Sequence, residues 1–362
     1  MLSMRAIVTP VIVLCMLVGR TAEKGNFFVR FPFSLYKKDM VVKMKDKPFK
    51  TYSQLIDKLR DEKGLTISEE DEARVVYLLK KYSYFSLVSG YKTLFKGKDG
   101  KYIPGTTIDD IYALYEFDDT LRDVFFHAIQ LVEKNIKSLL SYSFVSRYGE
   151  EQGAYLSPLN YDEHPGTKDE SKRQKEIKKL IKTFVSVVTP PMDHAYIKHQ
   201  WDKHRNVPLW AAAKVFTFGN TSKMFSLCTS SVQSDVAKEF PGVSANALIG
   251  MLDMLTRVRN VCAHNERLYD FTVKQSRGIQ DMPVHASLGI SKSKAGLYNK
   301  GKTDLFAAMI CLKYLLDESD FRQTVLAVES ALIKLTTKTK IFQMNKILSC
   351  MGFPVNWKDV ML

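Results

Sequence analysis

Cysteine is scarce in this chain and nowhere clustered. Five occur in 362 residues, at Cys15, Cys228, Cys262, Cys311 and Cys350, with no Cys-x-x-Cys pair. That spacing excludes a disulfide framework and points to a reducing compartment. Also missing are a glycine-rich phosphate loop, a nucleophile-elbow serine and zinc-ligand spacing, so the usual nucleotide-loop, serine-hydrolase and zinc-enzyme readings fall away. His194, His199 and His204 recur at intervals of five, but such residues do not share a helical face and no cysteine accompanies them, so no metal is assigned. Acidic side chains are outnumbered, 39 against 53 basic ones, leaving a net charge of +14. Such an excess favours a polyanionic partner, because basic surface attracts phosphate backbones.

What is present reads as helix. A hydrophobic content of 45% over this length supports a large core without staples. No strand alternation persists over residues 46–95, where Ser68 is placed to cap a helix behind acidic Glu69 to Glu72. The aromatics Tyr77, Tyr82, Tyr84, Phe85, Tyr91 and Phe95 fit a core with hydroxyls at its rim, and stacking on single-stranded bases is the alternative. From Ile108 to Tyr148 apolar spacing supports one long helix, on which Glu133 and Lys137 are i,i+4 neighbours. Residues 160–182 form a charged break and the basic start of another helix. In VPLW, Trp210 reads as a packing anchor. Residues 285–303 carry scattered glycine, serine and lysine and read as a mobile basic loop. Leu305 to Leu316 and Phe321 to Leu335 give two closing helices, completing an all-α bundle.

The most informative stretch is RVRNVCAHNERLYD at 257–270. Leu248, Leu252, Leu255, Val258 and Cys262 fall on one helical stripe, and at about 100° per residue Arg259 lies within it, roughly 40° from Leu255. A charge there must be paired or face a cleft. A histidine moves a proton near neutral pH and a guanidinium holds two phosphate oxygens, which together suit phosphodiester cleavage. With RNA, the neighbouring 2′-hydroxyl can be the nucleophile. The bare spacing Arg-x4-His also occurs at Arg122 and His127, but Arg122 sits at the edge of its apolar stripe and reads as a surface or salt-bridge residue. Five residues on an ideal helix put Arg259 and His264 about 140° apart, and Arg257 is better aligned with His264. Convergence then needs the helix to unwind near His264, or a second copy to complete the site.

RNVCAH followed by NERLYD resembles the Abi group of abortive-infection proteins, of the AbiD and AbiF type, within the HEPN superfamily. The resemblance runs through DKPFKTYSQLIDKLRDEKGLTI (46–67), YSYFSLVSGYKTLF (82–95), YEFDDTLRDVFFHAIQLVEKNIKS (115–138), VPLWAAAKVFTFGNTSKMF (207–225) and MGFPVNW (351–357), in the family's order. It implies an all-α, HEPN-type bundle with an additional N-terminal helical region. It also implies metal-independent RNA cleavage in phage defence, with a homodimeric site and no cofactor. Residue by residue, it assigns Arg259 and His264 to catalysis, Asn260 to the polar position after the arginine, and Glu133 with Lys137 to an upstream Glu-x3-Lys helix. There Glu133 would orient Arg259 and Lys137 would sit near the phosphate, the alternative being an ordinary ion pair. RNA is the implied partner, with an antitoxin or companion RNA as a possible restraint. A non-catalytic RNA- or protein-binding module is the rival reading.

The N-terminus cuts across this. MLSMR followed by AIVTPVIVLCMLVG has the charged start and short apolar run of an export signal, and the thirteen residues from Ala6 to Val18 are too few to span a bilayer comfortably. The competing reading, an over-extended frame with a true start at Met40 or Met44, suits an RNA-cutting enzyme with unpaired cysteines, so the expected location is cytoplasmic rather than membrane-held. The organisation expected is an apolar extension over 1–39, a helical region over 40–107, a helical core over 108–335 and a tail over 336–362.

Overall fold

Thr107 starts the element around which the rest is arranged. Its hydroxyl accepts from the Asp110 amide at 3.3 Å while the Asp110 carboxylate accepts from the Thr107 amide at 2.9 Å. This reciprocal box answers two of the amides that a helix start leaves free. The helix then runs without a break over Ile108–Tyr148 and stops at Gly149, whose φ of 88° closes it to most other residues. At 41 residues it is about 60 Å long.

The computed structural model describes residues 48–164, 170–191 and 193–361. Residues 55–362 form one compact unit; of the other, residues 1–54, only 48–54 are described, so the N-terminal apolar extension lies outside the described residues. The α-helices are α1 (Tyr52–Asp57), α2 (Glu72–Tyr82), α3 (Ile108–Tyr148), α4 (Gln152–Leu156), α5 (Glu170–Val188), α6 (Ala195–His204), α7 (Leu209–Ala212), α8 (Phe218–Leu227), α9 (Ser230–Ala237), α10 (Ala245–Ala263), α11 (Pro283–Ser287), α12 (Leu305–Leu315), α13 (Glu318–Lys338) and α14 (Met344–Met351). Short π and 3-10 turns join some of them. Strand pairing among the described residues is limited to isolated bridges such as Lys96 with Tyr102 and Thr272 with Asp304, so the fold is all-α. None of these helices is long and apolar enough to cross a membrane.

α13 and α10 lie along α3, and α7, α8, α9 and α12 add further contacts to the same helix. The buried face of α3 includes Leu121, Phe125, Ala128, Val132 and Ile136, repeating every three or four residues as a one-sided helix requires. α12 is different, because nine of its residues are buried, from Leu305 through Leu312 and again at Leu315. A helix apolar all round belongs at the centre.

Beyond Ser287 the segment at 285–303 is the loop expected of it, but its two ends are anchored in the interior. His285 is fully buried, with its Nε2 at 2.8 Å from the Gly301 carbonyl and its Nδ1 against Met282. Lys302 is also buried and reaches Asp281 at 2.6 Å. Two polar side chains satisfied indoors give this stretch internal anchors that a count of glycine, serine and lysine does not reveal.

Residues beyond α13 also reach the core. Phe353 is buried between Phe306 and Trp357, with ring centroids at 4.9 and 5.2 Å. Gly352 precedes it in the left-handed region, φ 76°, at the end of α14. A Cβ there would overlap the carboxyl group of Asp304. That carboxylate cannot step aside cheaply, because it caps α12 through the Ala307 amide at 3.1 Å and holds the Gly301 amide at 3.0 Å. Gly352→Ala is therefore expected to cost about 3 kcal/mol, combining left-handed strain with overpacking. Urea unfolding of the variant checks this, and an unchanged midpoint would refute it.

Candidate functional site: a basic cleft beside the motif helix

α10 carries the Arg-x4-His segment. Ser244 caps its start, accepting from the Ala247 amide at 3.2 Å, and the stripe Leu248, Leu252, Leu255, Val258 and Cys262 is buried as expected. Burial pushes the Cys262 thiol up to about 12, so it is a core residue rather than a nucleophile. The helix ends at Ala263. Asn265 takes the left-handed conformation, φ 53°, its amide bonds the Cys262 carbonyl at 3.2 Å and the Glu266 amide bonds the Val261 carbonyl at 3.0 Å. This is a Schellman stop with asparagine in the place usually held by glycine. His264 is thus the cap residue, exposed at the end of α10. Its amide still bonds the Asn260 carbonyl at 3.0 Å, so the chain leaves the helical path only at Asn265.

The turn after His264 is fixed from a distance. Asp118, fully buried on α3, accepts from the Tyr269 amide at 2.6 Å, the Leu268 amide at 3.1 Å, the Tyr91 hydroxyl at 2.7 Å and Arg122 at 2.8 Å. Arg122 is 3% exposed, donates also to Asp119 and to the Glu266 carbonyl, and leaves its Nε without an acceptor among the described residues. Burial works against its charge, but Asp118 and Tyr91 outweigh that and raise its pKa. Arg122 is therefore a salt-bridge residue but not a surface one. The pair binds backbone 266–269, the NERLYD stretch, to α3.

Arg259 faces a cleft, as its place on an apolar stripe demanded. No ion pair or hydrogen bond engages its guanidinium among the described residues; its Cζ lies 5.6 Å from the centroid of the Phe126 ring. The cleft measures about 850 Å³ and runs between α3, α7 and α10, with Arg259 in its wall. Along α3 its lining follows helical spacing through Gln130, Lys134, Lys137, Ser141 and Val145. Trp210, Lys214 and Tyr142 complete the basic and aromatic part of the wall. Lys137 is tied down, bonding the Glu133 carboxylate at 2.7 Å and the Phe216 carbonyl at 2.6 Å. Glu133 thus pairs with Lys137, and no ion pair joins it to Arg259 among the described residues.

Trp210 departs from the anchor role expected of it. Within the short helix α7, Leu209 and Ala212 take the buried positions, which leaves the indole 53% exposed in the cleft wall. The six aromatics at 77–95 divide: Tyr91 and Phe95 are buried, Tyr82 and Tyr84 pack partly against the core, and Tyr77 and Phe85 are exposed.

Of the expected site residues, the cleft brings together Arg259, Glu133 and Lys137. His264 and Asn260 are exposed on α10's final turn and are not in the cleft lining. Arg257 is engaged elsewhere, holding Asp253 at 3.0 Å. Lys134, Lys214, Trp210 and Tyr142 also line the cleft; the i,i+3/i+4 run of polar positions from Gln130 to Ser141 is a signal for Lys134 alone. Around α6, the His199 and His204 rings stand 6.5 Å apart, and no group of three metal-binding side chains occurs among the described residues.

The family model of the Abi-like proteins matches residues 77–270, more than half of the chain. This chain belongs to that family. Comparison with curated proteins gives no match, and comparison with solved structures gives none. In this Abi-like protein the matched stretch contains the cleft and both halves of the Asp118 cluster, since it runs from α2 to the residue after Tyr269. α12, α13 and the Gly352 turn lie beyond it.

Proposed function

We propose that this Abi-like protein is an endoribonuclease of the HEPN type that acts in abortive infection against phage. Cleavage proceeds by attack of the RNA 2′-hydroxyl on the adjacent phosphorus, without need of a metal. Arg259 holds two phosphate oxygens as negative charge builds up, and His264 takes the 2′-hydroxyl proton. The P–O5′ bond breaks as the O2′–P bond forms, and the leaving 5′-oxygen takes a proton from water, so the products end in a cyclic phosphate and a 5′-hydroxyl. Asn260 positions the reacting groups, and Lys137, held by Glu133, adds positive charge near the phosphate.

The observation that carries this reading is the unpaired Arg259 guanidinium in a cleft whose wall also holds three lysines. Taking a charge onto an apolar stripe is costly, and a phosphate is the natural partner for a guanidinium left open. His264 stands outside that lining, and a second copy that completes the site is part of the proposal. The same observation favours the rival reading, a module that binds RNA or a protein without cutting. An antitoxin or companion RNA that restrains the activity belongs to the proposal in either case.

Incubating a mixed RNA pool with the full chain and excess chelator tests the reading. Wild type is expected to leave cyclic phosphate ends, and His264→Ala to lose cutting by about 10²–10⁴-fold while still binding RNA. Equal cutting by both proteins would remove His264 from the site. Binding without cutting by wild type would establish the binding module.

A further inference from the structure

Besides Arg259, the wall of the cleft offers two things the cleavage chemistry does not use: exposed rings and unanswered cations. Trp210 is 53% exposed and Tyr142 79% exposed, on α7 and α3 respectively. Large aromatic surface left open beside a cavity suits a flat apolar ligand. Lys134 and Lys214 line the same cavity, and neither has a hydrogen-bond or ion-pair partner among the described residues. Glu133 is the one carboxylate in the wall, and Lys137 occupies it. The cleft therefore combines stacking faces with uncompensated positive charge, and an aromatic base attached to a phosphate satisfies both.

Resting on the reading of RNA as the substrate, we propose that this cleft seats an unpaired nucleobase against Trp210 and Tyr142, with the flanking phosphates on Lys134 and Lys214. The substrate class is then single-stranded RNA. A duplex keeps its bases stacked on one another and presents backbone and groove, so it has no free base face for the rings. Base stacking on aromatic side chains is tolerant of sequence, because every base has a π-face, so discrimination between bases at this subsite is weak.

The test is fluorescence anisotropy of a labelled 2′-O-methyl single strand, which resists 2′-hydroxyl attack, binding to the full chain. A duplex of the same sequence and a free mononucleotide serve as competitors. The single strand is expected to bind at least about ten-fold tighter than the duplex at one salt concentration, and Trp210→Ala to weaken it roughly ten-fold, with Trp210→Phe retaining most of the affinity. Lys134→Gln is expected to lower the salt dependence of binding by about one counterion. Equal affinity for the duplex, or Trp210→Ala and Tyr142→Ala variants that bind like wild type, would overturn the proposal. A mononucleotide that competes as well as the strand would also overturn it, in favour of a free nucleotide as occupant. The two readings fail separately: ring-dependent strand binding without RNA cleavage removes the nuclease and keeps the base subsite, and cleavage with ring-independent binding does the reverse.

Discussion

Asp118→Ala is expected to destabilise the protein by about 3–5 kcal/mol and to abolish cleavage with it. One buried carboxylate serves the Leu268 and Tyr269 amides, the Tyr91 hydroxyl and Arg122. Removing it leaves a guanidinium that is 3% exposed with the half-exposed Asp119, the Tyr91 hydroxyl and a carbonyl to answer it, and orphans two backbone amides. Each unsatisfied buried group carries its own desolvation penalty of about 1–3 kcal/mol. Asp118→Asn is no rescue, since its amide nitrogen is a donor facing donors. The double variant Asp118→Ala/Arg122→Met removes both charges and is expected to recover part of the loss, the remainder reflecting the two amides. Urea unfolding of the three variants checks this; a single variant as stable as wild type would show that the cluster does not fix residues 266–269.

Arg259→Ala is expected to leave the fold in place and to reduce RNA cleavage by about 10²–10³-fold. The side chain makes no ion pair or hydrogen bond among the described residues, and its contact with Phe126 is worth about 1 kcal/mol at most. Stability and activity therefore part company here, unlike at Asp118. Arg259→Lys restores the charge but not the planar fork that holds two oxygens at once, so only a fraction of the rate returns. Melting temperatures alongside initial cleavage rates decide the matter. A cleavage rate unchanged in Arg259→Ala would take the guanidinium out of the chemistry, and a collapse in melting temperature would assign it a structural role instead.

Local pattern made much of the architecture readable. The limits of the long helix at Ile108 and Tyr148 followed from apolar spacing, as did the buried stripe of α10 and the two closing helices. The demand that Arg259 face a cleft needed only helical geometry. Arg122 was half legible: its carboxylate partners Asp118 and Asp119 stand one helical turn away, but its burial depends on backbone far along the chain at Glu266, which no local spacing encodes. Trp210 misled for a related reason: which residues of a four-residue helix turn inward depends on the helix it packs against, not on its own sequence. The order at 285–303 rests on His285 and Lys302, two residue types that ordinarily indicate surface. Asn265 was legible in principle, since asparagine tolerates the left-handed turn that ends α10.

The Asp118 cluster also imposes an order in time. The ribosome delivers Tyr91, Asp118 and Arg122 first, and the amides that complete their hydrogen bonding arrive about 150 residues later. At roughly 5–20 residues per second, α3 waits about 8 to 30 seconds with the Asp118 carboxylate poised for amides not yet made. A nascent chain that has not reached Tyr269 lacks the amides that tie the turn after His264 to α3, so that turn is fixed only after synthesis has passed it.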